Sequence, residues 1–431
     1  MLTARRVLLL VTLLALTVFA TGAVFAQDDV TLTVWDNFTR PAEQEMIETL
    51  NAEFQEAHPG VTIVRESYET SDLTNLLPLA LSEATGPDVA MLNQGIANMG
   101  SLVQAGLLLP LDDYAEQYSW AERYGEGLHR RNRFTEGAAQ FGEGDLYGMS
   151  NTAEVVGVFY HKGIFDELGL TVPATLEEFE SLAQTLVDAG IAPIAFGSLD
   201  GWPAIHEYGA IENAYTTLED LDALIFRFEG GSFDNEANLQ AAEKLVDWAN
   251  RGFFSEGFEG MDYDNATTGA FINQEAAMWL TGSWMAGTIA EQLDEATVGF
   301  FLLPDEAGSD VPLATGGVGL AYGVRATSEN ADLAAEYIDL VTGPRAAELL
   351  FEQGYLPAVA VDPALLTDGT LTADVVAAWE AISANDKVGH YLDWTIPYDD
   401  IVASLQELLG GVITPADFVT NVESAYVDSA P

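Results

Sequence analysis

The 431-residue sequence has no cysteine and few basic residues. Neither disulfides nor a lipid-modified cysteine can hold such a chain, so it is expected to be a soluble non-lipoprotein, or one retained by partner proteins. Lysine and arginine together number 15 against 68 aspartates and glutamates, which gives a formal net charge of −53. Phosphate backbones are bound by clustered cations, so this composition excludes nucleic-acid binding as a main role.

Long apolar runs are also missing after the first residues. Residues 1–26 carry Arg5 and Arg6, then an apolar core, then small residues up to Ala26, which is the layout of a secretory signal peptide. A membrane-spanning helix is the alternative, but the apolar core is short for one. The sequence therefore predicts export to the periplasm or the cell exterior, with cleavage between Ala26 and Gln27.

Motifs for metals, nucleotides and catalysis are absent as well. The five histidines are dispersed without a His-Glu-x-x-His pair, so no metal site is expected. Gly316 to Gly319 is glycine-rich but lacks the Gly-Lys-Ser/Thr ending of a phosphate loop, so no nucleotide cofactor is expected. Asp262 to Asn265 carries only part of a calcium loop and leaves bound calcium open. No local motif singles out a catalytic residue.

Strands and helices alternate along the first part of the mature chain. Val30 to Trp35 and Val61 to Val64 have the pattern of strands, and Pro41 to Ala57 has that of a helix between them. A helix around Leu73 to Ala84 and a strand from Val89 to Leu92 continue the alternation. The fold class is therefore predicted to be α/β. A chain of this length is expected to divide into two lobes rather than enlarge one core.

The segment from Glu154 to Leu186 joins a predicted buried strand to a capped helix. Val155 to Tyr160 is an apolar and aromatic run, and Thr175 and Glu178 have the spacing of a capping box at the start of the next helix. Glu154 lies at the edge of the strand. It is either a solvated carboxylate or an acceptor for a ligand hydroxyl.

Several motifs together carry a resemblance to a known family. In chain order they are GPDVAMLN, QAGLLLPLDDY, DLYGMSN, the Glu154 to Leu186 segment, FINQEAAMWLTGSWM, GGVGLAYGVRATSENADLAAEYI, GYLP and TPADFVTNVESAY. Each motif is weak alone, but in this order they resemble extracellular solute-binding proteins of ABC importers, in the sugar-binding branch related to maltose- and multiple-sugar-binding proteins.

This resemblance implies a periplasmic-binding-protein-like type II fold, in which two α/β lobes surround a ligand cleft and are joined by hinge crossovers. After the signal peptide, lobe 1 would comprise residues 27–148 with 320–360, and lobe 2 would comprise residues 149–319 with 361–431. The implied function is non-enzymatic: a monomer captures a sugar or oligosaccharide by lobe closure and delivers it to membrane permease subunits, without a cofactor. Two alternatives stay open, an exported glycoside hydrolase with a carboxylate pair and the same fold binding a non-sugar such as a polyamine.

Candidate ligand-binding residues follow from the chemistry of sugars. The C–H faces of a pyranose stack on aromatic rings, while its hydroxyls need polar partners, and open α/β sheets bind ligands in loops at strand ends. Loops of this composition supply the candidates Trp35, Asp36, Asn37, Asn93, Glu154, Asp200, Trp202, Trp284 and Trp394, and the resemblance adds Gly317. For each tryptophan, core packing is the alternative. Trp248 and Trp379 lie in helical patterns and are predicted to be core residues.

One basic cluster stands out in this acidic chain. It contains Arg123, His129, Arg130, Arg131 and Arg133. Pairing with neighbouring acids is the simpler interpretation, and a site for an anionic ligand or partner is the alternative.

Overall fold

A computed structural model describes residues 30–429, so the predicted signal peptide lies outside the described residues. The first sheet has five strands: β1 (Val30–Asp36), β2 (Val61–Ser67), β3 (Val89–Leu92), β6 (Met149–Ser150) and β12 (Ala321–Val324). Their order in the sheet is β2-β1-β3-β12-β6. Strands β1, β2 and β3 are mutually parallel, whereas β12 runs antiparallel to both β3 and β6.

A second sheet is built around a long buried strand. Its strands are β7 (Ala153–His161), β8 (Ala192–Ile194), β9 (Ala276–Gly282), β10 (Val298–Phe301) and β11 (Gly316–Val318). Their order is β10-β7-β9-β8, and β11 pairs with β7 outside this path. Most pairings are antiparallel, and β8 runs parallel to β9. A separate short pair is formed by β4 (Arg133–Phe134) and β5 (Asp145–Leu146).

Helices surround both sheets, and none within residues 30–429 is long and apolar enough to cross a membrane. Short 3-10 turns and one π-helical turn (Tyr263–Thr267) lie between them. The α-helices are α1 (Pro41–Ala57), α2 (Thr70–Ser82), α3 (Met99–Gln104), α4 (Asp112–Gln117), α5 (Glu126–His129), α6 (Lys162–Leu168), α7 (Leu176–Asp188), α8 (Trp202–Glu212), α9 (Leu218–Ile225), α10 (Glu236–Asn250), α11 (Thr268–Ile272), α12 (Ala286–Gln292), α13 (Ala331–Val341), α14 (Pro344–Glu352), α15 (Leu371–Ala384), α16 (Tyr398–Leu409) and α17 (Pro415–Asp428).

The predicted β-α-β unit at the start of the described chain is confirmed. Helix α1 has the predicted bounds and begins with Pro41 at its first position, where a missing N–H costs no helical hydrogen bond. Met46, Ile47, Leu50 and Phe54 are all buried on one face of this helix. Because these residues recur at helical spacing, they form an apolar stripe that packs the helix onto the core. The same spacing is the sequence pattern from which the helix is predicted.

The cap predicted for α7 is present with one difference. Thr175 Oγ1 accepts a hydrogen bond from the Glu178 backbone N–H at 3.2 Å, as expected of an N-cap. The Glu178 carboxylate returns to the backbone N–H of Ala174, at 2.8 Å, rather than to that of Thr175. Both bonds satisfy backbone donors at the helix start, so the helix begins where the sequence predicts.

The chain passes between the two sheets along neighbouring segments. Strands β6 and β7 belong to different sheets, as do β11 and β12, so the short connections after Ser150 and after Val318 are crossovers. These connections are hydrogen-bonded to each other, since Gly319 N–H donates to the Thr152 carbonyl at 2.9 Å and Ser150 Oγ donates to the Gly319 carbonyl at 2.7 Å. The architecture is therefore two α/β lobes joined by adjacent crossovers.

A further segment runs beside these crossovers. Ala153 N–H donates to the Leu356 carbonyl and Ala358 N–H donates to the Asn151 carbonyl, both at 2.9 Å. This places residues 356–358 against the first crossover. The predicted boundaries of the two lobes stay a prediction. The strands fall within them except for β6, which pairs with β12 in the first sheet although it lies in the range predicted for lobe 2.

Candidate ligand-binding site

Five aromatic side chains converge at the end of the second sheet, and we call them the aromatic cluster. Trp202 lies 4.3 Å from Tyr263 and 6.0 Å from Trp284, measured between ring centroids. His206 completes the group with centroid distances of 5.5 Å to Trp284 and 4.8 Å to Tyr391. Trp202, His206 and Trp284 are partly exposed, so the cluster presents ring surface rather than forming only core.

The position of Trp284 depends on the glycine two residues before it. Strand β9 ends at Gly282, and the indole of Trp284 folds back over that residue. A Cβ on Gly282 would lie 2.0 Å from the Trp284 ring, closer than any side chain allows. Between them, Ser283 Oγ accepts a hydrogen bond from the Val155 N–H of β7 at 3.2 Å. The Gly-Ser-Trp sequence thus fixes the Trp284 indole at the end of β9, and Ser283 connects this segment to β7 at the residue after Glu154.

Tyr263 is held in the aromatic cluster by polar contacts. Its hydroxyl accepts a hydrogen bond from Trp284 Nε1 at 2.8 Å and lies 2.7 Å from Thr281 Oγ1. Its backbone N–H donates to Asp200 Oδ2 at 2.7 Å. Asp200 is a predicted ligand-binding residue, and here it positions Tyr263. Whether Asp200 also contacts a ligand stays a prediction.

Glu154 supplies a carboxylate beside the aromatic rings. It lies on β7, one residue inside the strand, and Tyr391 Oη donates a hydrogen bond to its Oε2 at 3.2 Å. Burial raises the pKa of Glu154 to about 7, although the hydrogen bond from Tyr391 opposes this shift. The structure therefore joins Trp202, Trp284 and Glu154, three of the predicted site residues, through Tyr391 and His206.

The two lobes touch on either side of the aromatic cluster. Arg40, just before α1, donates to Asp264 Oδ1 at 3.0 Å, and Asp264 directly follows Tyr263 in the chain. On the other side, the Ile96 N–H donates to the carbonyl of Trp394 at 2.6 Å. The aromatic cluster therefore lies where the lobes meet, which is where a cleft between them would hold a ligand.

The residues predicted at the end of β1 are not brought into the aromatic cluster. Trp35 packs against Tyr68, with 4.9 Å between ring centroids. Asp36 is fully buried and is held by Arg65, whose Nε donates to Asp36 Oδ2 at 2.6 Å. Asn37 donates from Nδ2 to Thr70 Oγ1 at 3.1 Å. These contacts give the three residues structural partners in their own lobe, and ligand contact by them stays a prediction.

Asn93 contacts Asp393, the residue before Trp394, at the junction of the lobes. Asn93 Nδ2 lies 3.4 Å from Asp393 Oδ2, and burial raises the pKa of Asp393 to about 6. Trp394 is only 1% exposed, and its ring lies 5.3 Å from that of Tyr391. The indole of Trp394 therefore packs against the aromatic cluster, which agrees with the core-packing alternative, and ligand contact by it stays a prediction.

Gly317 leaves space for a buried arginine. Its φ is +148°, and a Cβ there would lie 1.9 Å from the Arg131 guanidinium. Arg131 donates to the Gly316 carbonyl at 2.9 Å and to the Gly389 carbonyl at 3.1 Å, and so joins the crossover to the segment before Tyr391. The structure gives Gly317 a packing role at the crossover, and a ligand contact there stays a prediction.

Other arginines of the basic cluster are paired with acids. The partners are Asp339 for Arg123, Asp222 for Arg130 and Asp112 for Arg133. Arg131 is buried and engages backbone carbonyls. The contacts of Arg123, Arg130 and Arg133 match the simpler interpretation of pairing with acids, whereas Arg131 donates to backbone carbonyls instead. No group of three potential metal-ligating side chains occurs among the described residues.

Sequence reasoning missed four residues around the site: Arg40, His206, Tyr263 and Tyr391. A signal for His206 was present, because it follows Trp202 by four residues in α8 and therefore shares its helix face. Tyr391 is close in sequence to the predicted Trp394. Tyr263 and Arg40 had no such signal, since both reach the site through long-range contacts.

Two α/β lobes joined by adjacent crossovers, with aromatic rings and a carboxyl group at their junction, define a class of two-lobe ligand-binding proteins. Residues 36–348 match the family described as bacterial extracellular solute-binding proteins. The chain belongs to this family.

Individual relatives agree with that assignment. The "Multiple sugar-binding protein" of Streptococcus mutans is 26% identical over 213 residues, which cover 48% of this chain and 50% of that protein. The chain thus matches about half the length of this relative. Among solved structures, "Chitin oligosaccharide binding protein" has a TM-score of 0.81 at 22% identity, covering 94% of this chain and 99% of that one. "SBP RafE in complex with raffinose" has a TM-score of 0.75 at 20% identity, covering 93% and 100%. These two similarities establish the fold.

Proposed function

We propose that this chain is the exported substrate-binding component of an ABC importer, which captures a sugar or oligosaccharide by lobe closure and delivers it to membrane permease subunits. Membership of an extracellular solute-binding family and the similarity to a multiple sugar-binding protein support this proposal. We also propose that the signal peptide is removed after Ala26 and that the mature protein acts as a monomer without a lipid anchor.

The observation that carries the sugar assignment is the pairing of aromatic surface with hydrogen-bonding groups. Trp202 and Trp284 lie 6.0 Å apart with their planes at 66°, so they offer two differently oriented faces for the C–H surfaces of sugar rings. Tyr391 and Glu154, hydrogen-bonded to each other, provide groups for the hydroxyls at the same place. This combination of stacking and hydrogen bonding is the one that a pyranose requires.

The same geometry is less suited to a polyamine. A cation needs ionised carboxylates facing it, but burial raises the pKa of Glu154 to about 7 and that of Asp393 to about 6. Both groups are therefore more easily protonated than ordinary carboxylates. An uncharged ligand rich in hydroxyls matches the site better.

A hydrolase would need two carboxyl groups flanking the scissile bond. In the described structure Glu154 accepts a hydrogen bond from the Tyr391 hydroxyl. Asp200 also contacts the aromatic cluster, but it accepts a hydrogen bond from the backbone N–H of Tyr263 and so has a structural partner. We therefore propose that the ligand is held and released intact.

Mass spectrometry of small molecules that copurify with the secreted protein tests the proposal. The compound identified is then titrated into ligand-free protein by calorimetry. We expect a mono- or oligosaccharide that binds with one site per chain. Copurification of a polyamine that binds with similar stoichiometry, together with no binding of sugars, would refute the sugar assignment.

A further inference from the structure

Helix α8 presents a histidine to the site in addition to Trp202. The helix begins at Trp202, and His206 follows one turn later, so both side chains lie on the same helix face. Their ring centroids are 5.0 Å apart. The geometry of the helix therefore places the imidazole of His206 next to the indole of Trp202.

The imidazole of His206 connects the two halves of the aromatic cluster. It lies 5.5 Å from Trp284 on one side and 4.8 Å from Tyr391 on the other. Tyr391 in turn donates to Glu154. His206 thus lies between Trp284 and the hydrogen-bonded pair of Tyr391 and Glu154.

The hydrogen-bonding capacity of His206 is not used within the described part of the chain. Its Nδ1 is buried without a hydrogen-bonding partner among the described residues, while the side chain as a whole is partly exposed. The ring also lines a cavity of ≈ 10 Å³, together with Thr267 and Thr281, which is about the space of one water molecule. Buried polar atoms of a native protein normally find a partner.

Burial lowers the pKa of His206 to about 3. The imidazole is therefore neutral at physiological pH, with one nitrogen donating and the other accepting. A neutral imidazole suits a sugar hydroxyl, which also both donates and accepts.

We propose that His206 is a ligand-binding residue that determines specificity by hydrogen-bonding a hydroxyl of the bound sugar. The inference rests on the proposed function, because it assumes that a sugar occupies the aromatic cluster. This inference predicts that the site discriminates between sugars that differ in the hydroxyl next to His206. A sugar that lacks this hydroxyl would leave the imidazole without a hydrogen-bonding partner and would bind more weakly.

The test compares His206→Phe and His206→Gln with the wild type. Phenylalanine keeps a ring for packing but cannot hydrogen-bond, whereas glutamine restores a neutral donor and acceptor. Calorimetry is run with maltotriose, raffinose, xylotriose and chitotriose, and each variant is tested with the probes that bind the wild type. We expect His206→Phe to weaken binding roughly fivefold or more and His206→Gln to recover most of that loss.

His58→Gln serves as the matched control. His58 lies at the end of α1, where its Nδ1 contacts the Phe54 carbonyl at 2.8 Å and its Nε2 lies 3.0 Å from Glu336. Neither contact involves a residue of the aromatic cluster, so replacement of His58 should leave the affinity for the sugar unchanged.

A spectroscopic measurement on the unmodified wild type covers the case in which a variant fails to fold. The chain has five histidines, so the imidazole nitrogens can be resolved by NMR after labelling with 15N-histidine. Addition of the sugar should shift the resonances of His206, identified by their loss in whichever of the two His206 variants folds. A bound sugar with unchanged His206 resonances and unchanged affinity of His206→Phe would overturn this inference alone. If the wild type binds none of the four oligosaccharides, the result contradicts the proposed binding of these sugars, and the inference about His206 fails with it.

Discussion

A Cβ on Gly282 would lie 2.0 Å from the indole of Trp284. The relationship explains why a glycine precedes this tryptophan by two residues at the end of β9. The indole occupies the space that a side chain at position 282 would take, and so it remains next to Trp202 and Tyr263.

Gly282→Ala should therefore act on the ligand site through Trp284. The backbone φ of Gly282 is −82°, which alanine can adopt, so the clash is relieved by displacement of the indole. We expect sugar affinity to fall about tenfold, measured by calorimetry. Gly163→Ala in α6 is the control, because a Cβ there meets nothing within 4 Å. Equal affinities of both variants would show that Trp284 does not contact the ligand.

Trp284→Ala should separate binding from stability. Trp284 is partly exposed, and its removal takes away a stacking surface worth about 1.4 kcal/mol, or tenfold in affinity, with little change in the melting temperature of the ligand-free protein. Trp248 is fully buried in the core, so Trp248→Ala should cost about 3 kcal/mol or more in the free energy of unfolding. A collapse of stability in Trp284→Ala would place this residue in the core instead.

Asp264→Asn should weaken the closed arrangement of the lobes. The Arg40–Asp264 ion pair links the lobes beside Tyr263, but half of the Asp264 side chain is exposed. Its contribution is therefore modest, about 0.5–1 kcal/mol, which corresponds to a two- to fivefold loss of sugar affinity.

The loss should shrink at high salt, because solvent-exposed ion pairs are screened. Asp247→Asn is the control, since Asp247 near the end of α10 pairs with Arg251, the residue after this helix, at 3.2 Å. If both variants bind as tightly as the wild type at low salt, the Arg40–Asp264 pair does not support ligand capture.

Glu154→Gln should change how stability depends on pH. Burial raises the pKa of Glu154 from 4.5 to about 7, so the folded protein favours the protonated carboxyl group. The stability contributed by this group is present below pH 4.5 and is lost as the pH rises towards 7. Glutamine mimics the protonated form at every pH. We expect the wild type to lose stability relative to Glu154→Gln between these values, as measured by denaturant titrations across the pH range. Parallel pH profiles would contradict the raised pKa.

Local sequence patterns predicted much of the fold. The apolar stripe of α1 and the strands on either side of it follow from periodicity, and Trp202 and Trp284 could be proposed because they follow strands in polar loops. Asp36 shows the limit of this reasoning. It also follows an apolar run, but Arg65 on the neighbouring strand pairs with it, and only the register of β1 with β2 brings the two together.

Long-range contacts explain the remaining differences at the site. Tyr263 joins the aromatic cluster because Asp200 and Thr281, distant in sequence, hold its backbone and hydroxyl. Trp394 was proposed as a stacking residue from its polar neighbours, but it is buried because the lobes meet over it. Packing between lobes is a property of the folded chain that local patterns do not encode.

The central claim is that the protein holds a sugar without altering it, and one combined measurement tests this directly. Mono- and oligosaccharides are screened by thermal shift, and each incubated sugar is then analysed by chromatography. A ligand at about a hundred times its dissociation constant should stabilise the protein by about 2.7 kcal/mol, or a few degrees. We predict at least one stabilising sugar that is recovered intact after long incubation. Steady conversion of an oligosaccharide into smaller products, lost in Glu154→Gln, would contradict the account and establish a hydrolase.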